Sequence, residues 1–213
     1  MGIAREAWPV IGVVGGVLAP VAIIGVLAGH PAAVVPLLVA VAFCLFFFRD
    51  PDRRAPADER LVVSPADGRV LTVGEAPATP LDGAATRISI FMSPLDVHVN
   101  RHPVSGRVEH VQHTEGKFRA AFADKASLDN ERNALVVAAP GNRRYLVVQI
   151  AGAVARRIIC WARPGDAACR GERFGLIMFG SRVDLFLPRD VRPVVRPGDR
   201  VRAGVTVVAE VPA

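Results

Sequence analysis

The sequence predicts a mainly β domain carried behind a helical hairpin that associates with a membrane. The apolar excess behind a mean hydropathy of +0.33 is concentrated in residues 1–50. Beyond them the chain breaks into short runs rich in β-branched residues, separated by Gly, Pro and Asp, the pattern of an all-β sandwich or barrel. A turn-forming unit then recurs within the last third of the chain. With 213 residues there is room for one soluble domain plus a membrane segment, but hardly for two full domains.

The hairpin occupies residues 1–50. Residues 10–29 carry no charge and match the ~20 residues that a bilayer-spanning helix needs. After His30-Pro31 a second apolar run, residues 32–48, is somewhat short and ends in Phe46-Phe47-Phe48-Arg49. A secretory signal would have a shorter apolar core and a small-residue cleavage site, and neither is evident. Arg5 precedes the first run, and Arg49, Arg53 and Arg54 follow the second. The positive-inside rule therefore predicts both ends on the cytoplasmic side. A re-entrant or interfacial pair is the alternative.

Residues 51–60 read as a charged, proline-punctuated linker, with the globular part, residues 61–213, beginning near Leu61. Strands are expected over 61–63, 69–73, 86–91, 106–112, 134–138, 145–150, 154–161, 174–179, 183–187 and 205–210. Residues 116–130 form the one plausible helical or loop insertion. The recurring unit is Pro164-Gly165-Asp166 with Gly171, repeated as Pro197-Gly198-Asp199 with Gly204. Each copy is a tight turn followed by a strand, and the pair resembles the hammerhead turns of lipoyl/biotinyl barrel-sandwich folds. That resemblance implies a barrel-sandwich-hybrid-like domain, and with it a competing function as a non-catalytic carrier or adaptor. A carrier needs a lysine at a hairpin tip. The only lysines, Lys117 and Lys125, lie in the insertion.

A net charge of +6 suits either nucleic acid or an anionic membrane surface. No aromatic-interleaved basic patch or helix-turn-helix pattern supports nucleic acid, so the membrane is favoured. Cys44, Cys160 and Cys169 fall in no metal spacing, and their odd number suits buried thiols in a reducing compartment. His110 and His113 lack carboxylate or cysteine company, so no metal is expected there.

The chemistry centres on Phe174 to Asp184, where an apolar run stops at Gly180-Ser181. Glycine offers an unhindered carbonyl, and the next residue carries a hydroxyl. On a strained backbone Ser181 Oγ can attack the Gly180 carbonyl and turn the amide into an ester. Elimination leaves dehydroalanine, and hydrolysis gives a pyruvoyl group at a new N-terminus. For an arbitrary Gly-Ser the ordinary reading is a turn with a solvated serine.

The setting changes that reading. Ser64-Pro65-Ala66-Asp67-Gly68, Met92-Ser93-Pro94-Leu95-Asp96-Val97-His98-Val99-Asn100-Arg101, Asn130-Glu131-Arg132-Asn133, Ala155-Arg156-Arg157 and Phe179-Gly180-Ser181-Arg182-Val183-Asp184 occur in this order. Together they resemble the short form of the phosphatidylserine decarboxylase proenzymes, over nearly the whole chain. The resemblance implies a lyase that converts phosphatidylserine to phosphatidylethanolamine through a Schiff base with a pyruvoyl group made from Ser181. It implies self-cleavage between Gly180 and Ser181, a large chain of residues 1–180 paired with a small chain of residues 181–213, and a catalytic domain on the cytoplasmic face of the cell membrane. No metal is implied, and a homo-oligomer is left open. The resemblance also makes Ser181, His98 and Asp67 a Ser-His-Asp arrangement, with Asp67 orienting His98. Arg101 stands where longer members have a second histidine, and His102 is displaced by one, so the division of labour between His98 and His102 stays open. Arg182, in place of a common threonine, would either meet a lipid phosphate or carboxylate or lie solvated on a strand. Arg156 and Arg157 would face headgroups. A related decarboxylase with another headgroup, or a soluble substrate, is the alternative enzyme.

Overall fold

A computed structural model describes residues 2–76, 85–116, 130–152, 157–178 and 180–212. Of the insertion expected at 116–130, residues 117–129, with Lys117 and Lys125, lie outside the described residues, as do Arg156 and Phe179. The chain divides into two compact units, Met1–Asp52 and Arg53–Ala213.

The first unit runs β1 (Gly2–Ile3), α1 (Ala7–Leu27), a 3-10 turn (Pro31–Val34), α2 (Val35–Phe47) and β2 (Arg49–Asp50). At 1.5 Å per residue α1 is about 31 Å long, close to the hydrocarbon thickness of a bilayer. It is long and apolar enough to cross a membrane, whereas the apolar stretch Pro31–Phe47 is shorter. Val13, Val17, Val21 and Ile24 are exposed on α1, as a lipid-facing surface requires. Gly29, at φ 82°, ends the helix. There the His30 N–H reaches the Gly25 carbonyl at 2.8 Å and the Gly29 N–H the Val26 carbonyl at 3.0 Å, a Schellman closure. β1 pairs antiparallel with β2, Gly2 against Asp50, so both ends of the hairpin are tied together.

The second unit is almost wholly β. Its strands are β3 (Leu61–Val63), β4 (Gly68–Ala76), β5 (Ala85–Met92), β6 (Val99–Arg101), β7 (Gly106–Thr114), β8 (Arg132–Ala139), β9 (Arg143–Ile150) and β10 (Ile158–Cys160). They continue as β11 (Ala167–Ala168), β12 (Arg173–Ile177), β13 (Ser181–Leu187), β14 (Arg192–Pro193), β15 (Arg200–Val201) and β16 (Val207–Glu210). An eight-stranded sheet has the order β11-β7-β8-β9-β13-β5-β4-β15, with smaller sheets β10-β12-β6 and β14-β16-β3. All the pairings are antiparallel. Period-two alternation drives Val183, Leu185 and Leu187 of β13 into the main core with Ile88, Ile90 and Val147. The opposite face holds a smaller cluster around Leu146, Val148 and Ile150. The expected strand over 205–210 starts later, at Val207, because the Arg202 carbonyl first accepts from both the Val205 and Thr206 N–H groups in a turn.

The turn repeat folds as two matched corners. In each, an aspartate oxygen (Asp166 Oδ2, Asp199 Oδ2) accepts the N–H three residues back (Arg163, Arg196) at 2.8 Å. Gly165 donates to the Val108 carbonyl and Gly198 to the Val70 carbonyl, each at 2.8 Å. The segments so gripped are themselves a repeat, Ser64-Pro65-Ala66-Asp67-Gly68-Arg69-Val70 and His102-Pro103-Val104-Ser105-Gly106-Arg107-Val108. A Cβ on Gly68 would lie 2.0 Å from the Phe91 carbonyl oxygen, and one on Gly106 2.1 Å from that of Ala138, so neither site admits a side chain.

Candidate active site

After β12 the chain turns at Gly180 and enters β13 at Ser181. Gly180 has φ 61°, in the left-handed region that side chains resist. Nothing lies within 4 Å of where its Cβ would be, so glycine is required there by backbone conformation and not by crowding. Ser181 is fully buried opposite Met92 of β5. Its hydroxyl donates to the Met92 thioether at 3.5 Å. A thioether is a weak acceptor, so the Oγ–H is held in place without being activated.

His98 is also buried. Its Nδ1 sits 2.9 Å from the Asp96 carbonyl oxygen, so Nδ1 carries a proton and, in the neutral ring, Nε2 is the acceptor. The loop that presents it is fixed by Asp96, whose Oδ2 accepts from the Ser93 N–H at 2.8 Å and the Ser93 hydroxyl at 2.7 Å. Downstream, the Ile177 N–H donates to the His98 carbonyl at 3.3 Å and ties this loop to β12.

Asp67 has other partners than the expected histidine. Arg53 grips its carboxylate with both terminal nitrogens, Nη1 to Oδ1 and Nη2 to Oδ2 at 2.8 Å. The Ala203 N–H adds a third bond, to Oδ1 at 2.8 Å. Arg53 Nη1 also reaches the Ala203 carbonyl at 2.8 Å, so the pair clamps the segment that follows the second turn of the repeat. None of these bonds goes to an imidazole. Geometry explains the choice: a planar guanidinium satisfies both carboxylate oxygens at once, and an imidazole N–H serves one. Asp67 and Asp96 nonetheless line one cavity of about 470 Å³, together with Arg200 and Arg202.

Several expectations meet a different arrangement. Arg182 is neither solvated nor free for a headgroup: it is buried, with Nε 2.6 Å from Asp184 Oδ1 and Nη2 2.8 Å from Oδ2. His113 does have carboxylate company, Glu131 at 3.5 Å. His102 lies beyond the end of β6, its ring centroid 5.2 Å from that of Phe174. Burial pushes its pKa down to about 4, and its Nδ1 has no hydrogen-bond partner among the described residues. Arg157 is exposed; of the three free thiols, only Cys44 is buried as expected, whereas Cys160 is half-buried and Cys169 exposed.

Sequence reasoning passed over two groups. Arg53 falls in the charged linker, and its partner Asp67 stands where the second copy of the repeat has Ser105, so the duplication gives no signal for the pair. Asn100, Gln149 and Asn133 stand in the sequence as ordinary motif or strand residues. All three are buried, and their side chains form a chain that ends at Met92.

The comparisons agree with the motifs. The sequence profile of the family described as phosphatidylserine decarboxylase matches residues 40–209. A protein of Solidesulfovibrio magneticus named phosphatidylserine decarboxylase proenzyme is 46% identical over 210 residues, covering 98% of this chain and 96% of that one. Proteins of the same name from Symbiobacterium thermophilum and Pelobacter propionicus are 46% and 52% identical, covering 99% and 78% of this chain and 96% and 76% of theirs. A match of this extent makes the chain a member of the phosphatidylserine decarboxylase family.

Proposed function

We propose that this chain is a proenzyme that cuts itself between Gly180 and Ser181 and then decarboxylates phosphatidylserine to phosphatidylethanolamine. The observation that carries the reading is the Gly180-Ser181 junction, a left-handed glycine leading into a buried serine, in a chain of this family. In the cut, Ser181 Oγ bonds to the Gly180 carbonyl carbon, the C–N bond breaks, and the proton leaving Oγ ends on the freed nitrogen. Loss of the Cα proton and of the Gly180 carboxylate from Cβ leaves dehydroalanine. Addition of water with release of ammonia completes the pyruvoyl group. The residues present suit such a group: a buried position, no side chain on the preceding glycine, and an amide donor nearby that, among the described residues, bonds only to sulfur. When formed, it supplies a carbonyl that takes the substrate amine and accepts the electron pair released with carbon dioxide.

The chain's own residues bind and move protons. His98 Nε2, with its lone pair, is the candidate to take the Ser181 proton and later to return one to the substrate carbon. Asp67 shares a cavity wall with the loop that holds His98 and is the candidate to tune it across that space, in competition with Arg53. The hairpin keeps the domain at an anionic membrane, where a two-chain lipid resides. The arginine pattern and the tie between β1 and β2 support placing the catalytic unit on the cytoplasmic side of the cell membrane. The matched hammerhead corners support a barrel-sandwich-hybrid architecture.

Intact mass of the purified chain tests the reading. Two fragments divided between Gly180 and Ser181 are expected, the smaller without a free N-terminal amine, whereas Ser181→Ala stays whole and inactive. An uncut Ser181→Ala chain with full activity would defeat it, and an uncut wild type would favour a non-catalytic adaptor.

A further inference from the structure

Three buried amides form a one-way chain toward Ser181. Asn133 Nδ2 donates to Gln149 Oε1 at 3.0 Å, and Gln149 Nε2 donates to Asn100 Oδ1 at 2.8 Å. Asn100 Nδ2 then donates to Met92 Sδ at 3.7 Å, the same sulfur that holds the Ser181 hydroxyl at 3.5 Å. Backbone register builds the chain. Asn133 faces Gln149 across β8 and β9, Gln149 faces Val183 across β9 and β13, and Ser181 faces Met92. Opposite Asn100 stands Gly175, where a Cβ would lie 2.8 Å from Gln149 Nε2. The glycine leaves room for the amide.

Buried amides are costly unless satisfied, and here every link is good except the last. A thioether is a poor acceptor for an amide N–H. An oxygen presented nearby would capture that donor. Cleavage at Ser181 would create such an oxygen, the ketone on the α-carbon of residue 181. We infer that Asn100 is the hydrogen-bond donor to this ketone oxygen, parked on Met92 until the ketone exists, and that Gln149 and Asn133 are positioning residues that aim it. The inference rests on the proposed cleavage. Its chemical value is to polarise the carbonyl toward the substrate amine and to hold the charge that develops on that oxygen.

The test uses the full chain in detergent micelles, with serine carrying carbon-13 at the α-carbon. Carbonyl labelling gives ketone content, and isotope-edited infrared spectroscopy gives the ketone stretching frequency. Asn100→Leu that has cleaved should show a higher frequency than wild type. It should lose about 10²–10³-fold in turnover per ketone, the usual loss for one oxyanion donor. Gln149→Met should shift the frequency in the same direction by less. Should Asn100→Leu fail to fold, Asn100→Asp decides. Its carboxyl donates only when protonated, so its turnover per ketone, divided by the wild-type value at the same pH, should climb as pH falls. A wild-type frequency in cleaved Asn100→Leu, or a flat Asn100→Asp ratio, would overturn the donor while leaving cleavage intact. A wild-type chain without any labelled carbonyl would instead overturn the cleavage reading, and the donor with it.

Discussion

Replacing Asp67 by Asn removes one charge and almost no volume, and its cost follows from the geometry. The side chains of Arg53 and Asp67 are 9% and 12% exposed, so the pair is nearly dry. The asparagine rotamer that does least harm keeps oxygen at the Oδ1 position, preserving the bonds from Arg53 Nη1 and the Ala203 N–H. Its NH2 group then confronts Arg53 Nη2, which in the native chain lies 2.8 Å from an acceptor. One charge-assisted bond is lost and a buried guanidinium is left without a counter-charge. Breaking such a pair from one side costs about 3–5 kcal/mol, and the slight exposure here favours the lower end, about 3 kcal/mol. For a unit of this size that lowers the melting midpoint by about 6–12 °C. Arg53→Met should do much the same, and Arg53→Met/Asp67→Asn should cost less than the sum of the two single losses, with a coupling of about 2 kcal/mol. The measurement is thermal unfolding of the four proteins on an uncleavable Ser181→Ala background, so that maturation does not enter. Coupling below about 0.5 kcal/mol would refute the claim that Arg53 is the partner that matters. Cleavage kinetics on chains with the native serine, well below every midpoint, then separate the second role. If Asp67→Asn cleaves slowly while Arg53→Met keeps the wild-type rate, the carboxylate acts on maturation beyond holding the arginine.

Further outcomes follow from the same structure. With a folded pKa near 4 against about 6.5 unfolded, His102 stays neutral in the fold, so its contribution is present in full above pH 6.5 and is lost as pH falls toward 4. Acid titration should therefore show a total loss of up to about 3 kcal/mol of stability across that window, and His102→Asn should flatten it. Asp184→Asn should strand the buried Arg182 and cost about 3–5 kcal/mol, read as lost folded yield, whereas Arg182→Met/Asp184→Leu should recover most of it. Deleting residues 1–49 should leave a unit that folds and self-cleaves but turns over bilayer substrate poorly, measured on liposomes against detergent-dispersed lipid. Extending the deletion through Arg53 should add the stability loss predicted for Arg53→Met.

Strand positions were legible because alternation is a local signal: β4, β5, β7, β8 and β9 extend the expected runs by a few residues at their ends. The hairpin was legible for the same reason. What escaped was long-range pairing of polar groups. Arg53 and Asp67 are separated by a proline-rich stretch whose composition suggests solvent, and only the folded corner brings them together. Asn133 and Gln149 sit on strands where a polar residue ordinarily marks the wet face. Both are buried and bonded to each other, and Gln149 reaches on to Asn100 of β6 in a different sheet, a pairing that no periodicity reports. Ser181 was legible as a nucleophile, but its thioether partner is contributed by a strand far away in sequence.

The position of β13 carries a consequence for the protein after maturation. It lies in the middle of the large sheet, paired along its length with β5 and across five residues with β9. The remainder of the C-terminal segment adds β14, β15 and β16, which pair with β3, β4 and one another. A cut before Ser181 would thus yield a heterodimer whose smaller subunit is an interior strand of the larger one, locked without any covalent link. Dilution should not separate the pieces, because parting them means opening the sheet at its centre. Unfolding, by contrast, would release two molecules where the precursor released one, so refolding would become a second-order reaction. Precursor melting should then be independent of protein concentration, while mature enzyme should melt higher the more concentrated it is, or not refold at all.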